Sequence, residues 1–217
     1  MKIAPSLLAA DFLHLEKDIQ MLNANADIIH LDIMDGSLVP NISFGFSVAE
    51  PVCKMAQVPT DAHLMIIHPE RYFERFAKCG VRMLSFHYEA ARQAHKCPRT
   101  LLRRIRKLGM QAGIAINPDI PVQKIFKYLK HADFVVLMSV FAGFGGQKFI
   151  YETYDRLSAL KAEIDRRGLK CEIEVDGGVA LDNAEGLHKF GADILVAGST
   201  VFRSADPADT IRQLRVA

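Results

Sequence analysis

Apolar residues fall along this chain in two alternating rhythms. Short apolar runs of strand length alternate with longer stretches whose apolar residues recur at helical spacing. The short runs cover 3–8, 26–33, 60–65, 81–86, 110–116, 133–138, 169–175 and 193–197. The first helix is expected after Asp11, read as its N-cap, with Phe12, Leu15, Ile19 and Leu22 on one face. Further helices are predicted over 48–55, 69–79, 92–108, 122–129, 152–167, 182–190 and 207–214. Pro69 suits a first turn, and Gly109, Gly168 and Gly191 close three of these segments.

Strands alternating with helices predict a parallel sheet, and eight such units in one domain predict a single closed α/β barrel, the (β/α)8 TIM barrel, over residues 1–217. An open doubly wound sheet fits less well, because polar residues end most of the strands rather than clustering at one switch point.

Side chains two apart on a strand share a face. Ile28, His30 and Asp32 then point one way, and Ile29, Leu31 and Ile33 point toward the helices. Asp61, His63 and Met65 share a face, as do Glu172, Glu174 and Asp176. These polar faces are expected to line the barrel interior near its top, with Ser6, Ser85, His87, Asn117, Met138 and Ser139 as further inward candidates. Asp32 and Asp176 each end an apolar strand just before a glycine-bearing turn, where such barrels place their chemistry, and they form a candidate acid/base pair.

His30, Asp32, His63 and Asp176 together suit one divalent metal. Imidazole with carboxylate favours zinc first, with iron, manganese or cobalt as alternatives, over magnesium or calcium. Each histidine alone reads as a hydrogen-bonded interior group; the set of four favours the metal. His14, His68, His95, His131 and His188 fall on loops or helices and are expected at the surface.

Composition narrows the field. The chain has 217 residues, 50% hydrophobic and 24% charged, with a formal charge of +2, which excludes nucleic acid as an expected partner. The basic cluster from Arg99 to Lys107 reads as a solvated helix face. Cys53, Cys79, Cys97 and Cys171 form no Cys-x-x-Cys pair, so reduced, mostly buried thiols and a cytoplasmic location are expected. No signal peptide and no membrane-spanning run is read.

Gly143, Phe144, Gly145 and Gly146 follow the sixth strand, Gly177 and Gly178 the seventh, and Gly198 and Ser199 the eighth. One glycine pair could be a tight turn only. Three in succession on adjacent strands predict a phosphate cradle of backbone N–H groups. The spacing does not fit a dinucleotide fingerprint.

These stretches resemble the ribulose-phosphate 3-epimerase family over essentially the whole chain. The likeness is carried by Ile3 to Leu8 with Ala10, Asp11 and Phe12; by His30 to Gly36 with Val39, Pro40 and Asn41; by Asp61 to Met65; by Met138, Ser139 and Val140; by Gly143 to Phe149; by Ile173 to Gly178; and by Val196 to Ser199. The resemblance implies an isomerase that inverts C3 of a ketose phosphate, D-ribulose 5-phosphate to D-xylulose 5-phosphate. It implies Asp32 and Asp176 as its acid/base groups and a metal on His30, Asp32, His63 and Asp176. It further implies substrate contacts from Ser6 and His63, phosphate contacts from the glycine turns, and an apolar wall of Met34, Met65 and Met138. A homo-oligomer is the expected assembly.

Hexulose-6-phosphate 3-epimerases such as the allulose 6-phosphate enzyme look much alike and remain an alternative. Two departures bear on substrate preference: Phe141-Ala142 stands where relatives usually carry a polar residue and proline, and Ser37 where histidine is common. Phe141-Ala142 alone motivates a catalytically silent sugar-phosphate binder. A Schiff-base aldolase lacks the inward lysine it needs.

Overall fold

The computed structural model describes residues 1–217. Eight parallel strands follow one another around a barrel: β1 (Lys2–Pro5), β2 (Ile29–Met34), β3 (Thr60–Met65), β4 (Met83–His87), β5 (Gln111–Ile116), β6 (Phe134–Met138), β7 (Glu172–Asp176) and β8 (Ile194–Ala197). From β2 to β8 each strand pairs with the next, and β8 pairs with β1. Between β1 and β2 the barrel closes more loosely. There the Ile3 carbonyl accepts the N–H groups of Asp27 and Ile28, and Ser6 bridges to His30.

The helices are α1 (Leu15–Asn25), α2 (Phe46–Met55), α3 (Phe73–Cys79), α4 (Tyr88–Gln93), α5 (Pro98–Lys107), α6 (Thr153–Arg166), α7 (Leu181–Lys189), α8 (Ser199–Phe202) and α9 (Pro207–Val216). None is long and apolar enough to cross a membrane. The strand faces divide as alternation requires. Ile29, Leu31 and Ile33 join the outer core of 48 buried residues between sheet and helices. Ile28, Met83, Phe134 and Ile194 belong to a separate inner cluster.

Several local expectations are corrected. The helix predicted over 92–108 is two helices. Pro98 has no N–H and disfavours helical backbone at Cys97, so α4 ends, His95 turns at φ 53°, and α5 restarts with Pro98 in its first turn. The helix expected after Asp11 begins at Leu15. Asp11 accepts the Leu13 N–H in a preceding turn instead, and Phe12 packs half-exposed against Phe44. The 122–129 segment is a pair of 3-10 turns, and β1 stops at Pro5, where Ser6 caps a short turn. The cysteines are free, but they are not mostly buried: only Cys171 is buried, Cys53 and Cys79 are partly so, and Cys97 is exposed.

The shared face of Glu172, Glu174 and Asp176 spans the height of the barrel rather than its top. Glu172 lies at the opposite mouth, partly exposed and 2.7 Å from Lys2 Nζ. Above it the interior narrows around Phe134, whose ring occupies the space that a side chain on its registered neighbour Gly113 would need. A Cβ on Gly113 would sit 2.4 Å from the Phe134 ring. Phe134 is fully buried and cannot swing into solvent. Gly113→Ala is therefore expected to lose ~1–3 kcal/mol of stability, as overpacked cores do. Urea denaturation checks this; an unchanged midpoint would show that the interior has slack.

Candidate active site

Register sets the site. β2 and β3 pair so that Asp32 lies beside His63 and His30 beside Asp61. Asp176 ends β7, opposite Val196 of β8. Four ligand-type atoms meet inside the strand tips: His30 Nε2, Asp32 Oδ1, His63 Nδ1 and Asp176 Oδ2, all within 4.8 Å of one another. His30 Nε2 is 3.4 Å from Asp32 and 3.9 Å from Asp176; His63 Nδ1 is 3.5 Å and 3.3 Å from the same oxygens.

These residues fit a cation. Both ring nitrogens of His30 and Nδ1 of His63 are buried without a hydrogen-bond partner. The separations are those expected of donors around one ion with bonds of ~2.0–2.1 Å. A donor set of two imidazoles and two carboxylates would suit zinc or a neighbouring transition metal.

A second layer lies below. On its other side, His30 Nδ1 is 2.8 Å from Asp61 Oδ2 and 3.3 Å from Glu174 Oε1. The contacts are close but poorly aligned, and neither carboxylate has a well-formed hydrogen bond. Burial, then the charge of Asp61, pushes Glu174 up to about 8. Burial works against a proton on His30, yet Asp32, Asp61 and Glu174 outweigh it and raise His30 well above its usual range. The same contest, won by Asp176 and Asp32, raises His63 to about 9. Burial likewise opposes the Asp32 charge, but the two histidines hold that carboxylate well below its ordinary value.

Ser6 Oγ donates to Asp32 Oδ2 at 2.5 Å while accepting the Leu8 N–H, so the turn after β1 orients the carboxylate. Asp176 is the more exposed of the two aspartates, 13% against 6% for the side chains. Both line one pocket at the strand tips, together with Ser6, Met34, Met65, Met138, the 143–146 loop, Gly177, Gly178, Gly198 and Ser199. His30 and His63 are fully buried beneath that floor and do not line it.

The glycine turns converge on the same pocket. Gly177 and Gly178 adopt φ of 115° and 63°, and a Cβ on Gly178 would lie 2.7 Å from the Phe149 backbone nitrogen. Only glycine fits there without strain. The Ser139 hydroxyl donates to the carbonyls of Asp176 and Gly177, so it braces this turn rather than facing the pocket.

The departures have structural roles. The Ala142 N–H donates to Asn117 Oδ1 at 3.0 Å, a bond that proline cannot make. Phe141 is half exposed beside the pocket. Ser37 accepts the Ile67 N–H, tying together the loops after β2 and β3. Gln147 has a role that its sequence pattern did not reveal: its amide donates to the carbonyls of Phe141 and Phe144 and closes the loop. Its position inside the glycine motif was the available signal. His14, His95 and His188 are exposed as expected, and His68 and His131 are half-buried.

Fold and pocket together define a (β/α)8-barrel enzyme working at the C-terminal ends of its strands. The sequence profile of the "Ribulose-phosphate 3 epimerase family" matches residues 2–202, and the chain belongs to that family. It is 42% identical over 217 residues to a protein named ribulose-phosphate 3-epimerase from Bacillus subtilis, covering 99% of this chain and 98% of that one. A namesake from Aquifex aeolicus is 40% identical over 214 residues, covering 98% and 95%. Among solved structures, 3-hexulose-6-phosphate synthase superposes with a TM-score of 0.71 at 19% identity, covering 100% of this chain and 99% of that one. That likeness speaks to the fold alone.

A metal ligand must present a free lone pair, so a cation bound by His30 and His63 would have to displace a proton from each imidazole that carries two. With His63 raised to about 9, binding near pH 8 is expected to release protons and to tighten as pH rises toward that value. Titration calorimetry with zinc in buffers of different ionisation heat measures this. Binding without proton release would contradict the protonation described.

Proposed function

We propose that this protein interconverts D-ribulose 5-phosphate and D-xylulose 5-phosphate by inverting C3. The observation that carries the reading is that carboxylates from β2 and β7, far apart in sequence, reach the floor of one pocket. A single base tends to return a proton to the face it left, so inversion calls for two. One aspartate removes the C3 proton from one face of the sugar; the other delivers a proton to the opposite face, through a cis-enediolate. Which acts as base depends on the direction of reaction.

His30, Asp32, His63 and Asp176 would hold the cation, zinc by preference. When bound, it supplies positive charge against the negative charge that develops on the sugar oxygens. Ser6 fixes the Asp32 carboxylate, and Met34, Met65 and Met138 form an apolar wall that limits water at the reacting carbon. The N–H groups of the 143–146 loop, of Gly177 and Gly178, and of Gly198 and Ser199 take the phosphate. The work is cytoplasmic, by a homo-oligomer.

Asp32→Asn and Asp176→Asn are each expected to lower exchange of the C3 hydrogen with solvent deuterium by at least ~10²–10⁴-fold, with circular dichroism unchanged. Near-normal exchange in either variant removes that residue from the proposed role. Chelation is expected to abolish turnover and added zinc to restore it; full activity in demonstrably metal-free protein would defeat the metal assignment. A parallel assay on D-allulose 6-phosphate decides the alternative substrate, and equal or greater kcat/KM there would overturn the pentulose reading.

A further inference from the structure

We propose that His87 and Glu89 are positioning residues that fix the tautomer and the ring plane of His63, so that its Nδ1 is presented to the cation. The inference rests on the metal reading above and adds two residues to it.

His63 Nε2 lies 2.8 Å from His87 Nε2, and both rings are fully buried. The ring planes differ by 16° and their centroids are 4.9 Å apart. The two nitrogens are much closer than the centroids, so the rings meet edge to edge, nearly coplanar, rather than face to face. At that distance one nitrogen donates and the other accepts.

The direction follows from the inventory of a neutral imidazole, which has one N–H and one lone pair. His63 Nδ1 faces Asp32 and Asp176 and must offer a lone pair to a cation there. Its proton then sits on Nε2 and points at His87 Nε2. His87 in turn must keep its own proton on Nδ1. That nitrogen has no hydrogen-bond partner and faces Glu89 Oε2 at 3.6 Å. The separation is too long for a hydrogen bond, but a carboxylate on that side favours an N–H over a lone pair. Glu89 is itself held: Oε1 accepts the Asn117 N–H at 2.7 Å. Asn117 sits at the end of β5, and its side-chain oxygen accepts from Ala142. Glu89 is thus fixed by backbone and free to act on His87 with its second oxygen. Outer partners of this kind set ligand orientation and basicity at metal sites.

Three variants test the assignment. His87→Leu removes the acceptor. His87→Gln can restore it, its amide oxygen accepting from His63 while its NH2 faces Glu89. Glu89→Gln keeps size and can keep the Asn117 bond, but sets an NH2 against His87 Nδ1–H and so favours the wrong tautomer. Co²⁺ affinity is measured by competition with a chromophoric chelator at fixed pH, alongside the visible spectrum of the Co²⁺-loaded protein and the thermal midpoint of the metal-free protein.

The expected result is ~10–100-fold weaker binding with an altered spectrum for His87→Leu, near-wild-type values for His87→Gln, and a smaller loss for Glu89→Gln, all at similar metal-free midpoints. Should His87→Leu fail to fold, the other two decide: weakened binding in Glu89→Gln with normal binding in His87→Gln supports the assignment. Wild-type affinity and spectrum in Glu89→Gln and in any folded His87→Leu would overturn it while leaving the metal reading intact. Failure of the wild-type protein to bind Co²⁺ would overturn both.

Discussion

Charge buried inside the barrel is the constraint on which this structure depends. His30, His63, Asp61 and Glu174 are wholly inaccessible, and Asp32 and Asp176 nearly so. Ionised groups removed from water are tolerated only when paired or bound to metal. Protons can supply part of the balance: the surrounding carboxylates drive both histidines toward the charged form, and burial drives Glu174 toward the neutral one. A divalent cation held by His30, Asp32, His63 and Asp176 would do the same task with one centre and would free the histidines to be ligands. The raised imidazoles and the converging carboxylates express one fact: negative charge is concentrated at the upper end of the barrel interior.

The parallel barrel is suited to carrying such a cluster. Its outer face is sealed by the 48-residue apolar core, so the strands are held without help from the interior. The interior can then be polar in its upper layers, provided that its lower part is well filled. Phe134 over Gly113, with Ile28, Met83 and Ile194, supplies that filling. Hydrogen bonds among the strand-end loops, and from α6 to the ends of β5 and β6, hold the mouth above it. Asn41 donates to the Gly143 carbonyl, Arg156 to the carbonyls of Met138 and Asn117, and Asn117 accepts from Ala142. Loops that carry few apolar contacts are positioned instead by polar ties to the rigid strands below.

The alternation of strands and helices was legible because it is a local property repeated eight times. So were Asp32 and Asp176, because each ends a strand before a glycine. The break at Pro98 is also local: helical spacing of apolar residues runs across it, yet proline disfavours helical backbone at Cys97. Depth was not legible. Glu172, Glu174 and Asp176 share a face by alternation, yet one lies at the far mouth, one within and one at the site, because the face runs the height of the barrel. His87 was placed inward from its strand, but its partner depends on the register of β3 against β4. The value of Ala142 was hidden for the same reason: its N–H finds Asn117 on another strand end.

All of this turns on whether one cation sits among the four donor atoms at the floor of the pocket. Anomalous diffraction from a crystal of the active protein, recorded on both sides of the zinc absorption edge, addresses that directly. The account predicts a single edge-dependent peak within bonding distance of His30 Nε2, Asp32 Oδ1, His63 Nδ1 and Asp176 Oδ2. A fully active crystal with no anomalous peak there at the zinc, iron, manganese or cobalt edge, or with the ion bound elsewhere, would contradict it.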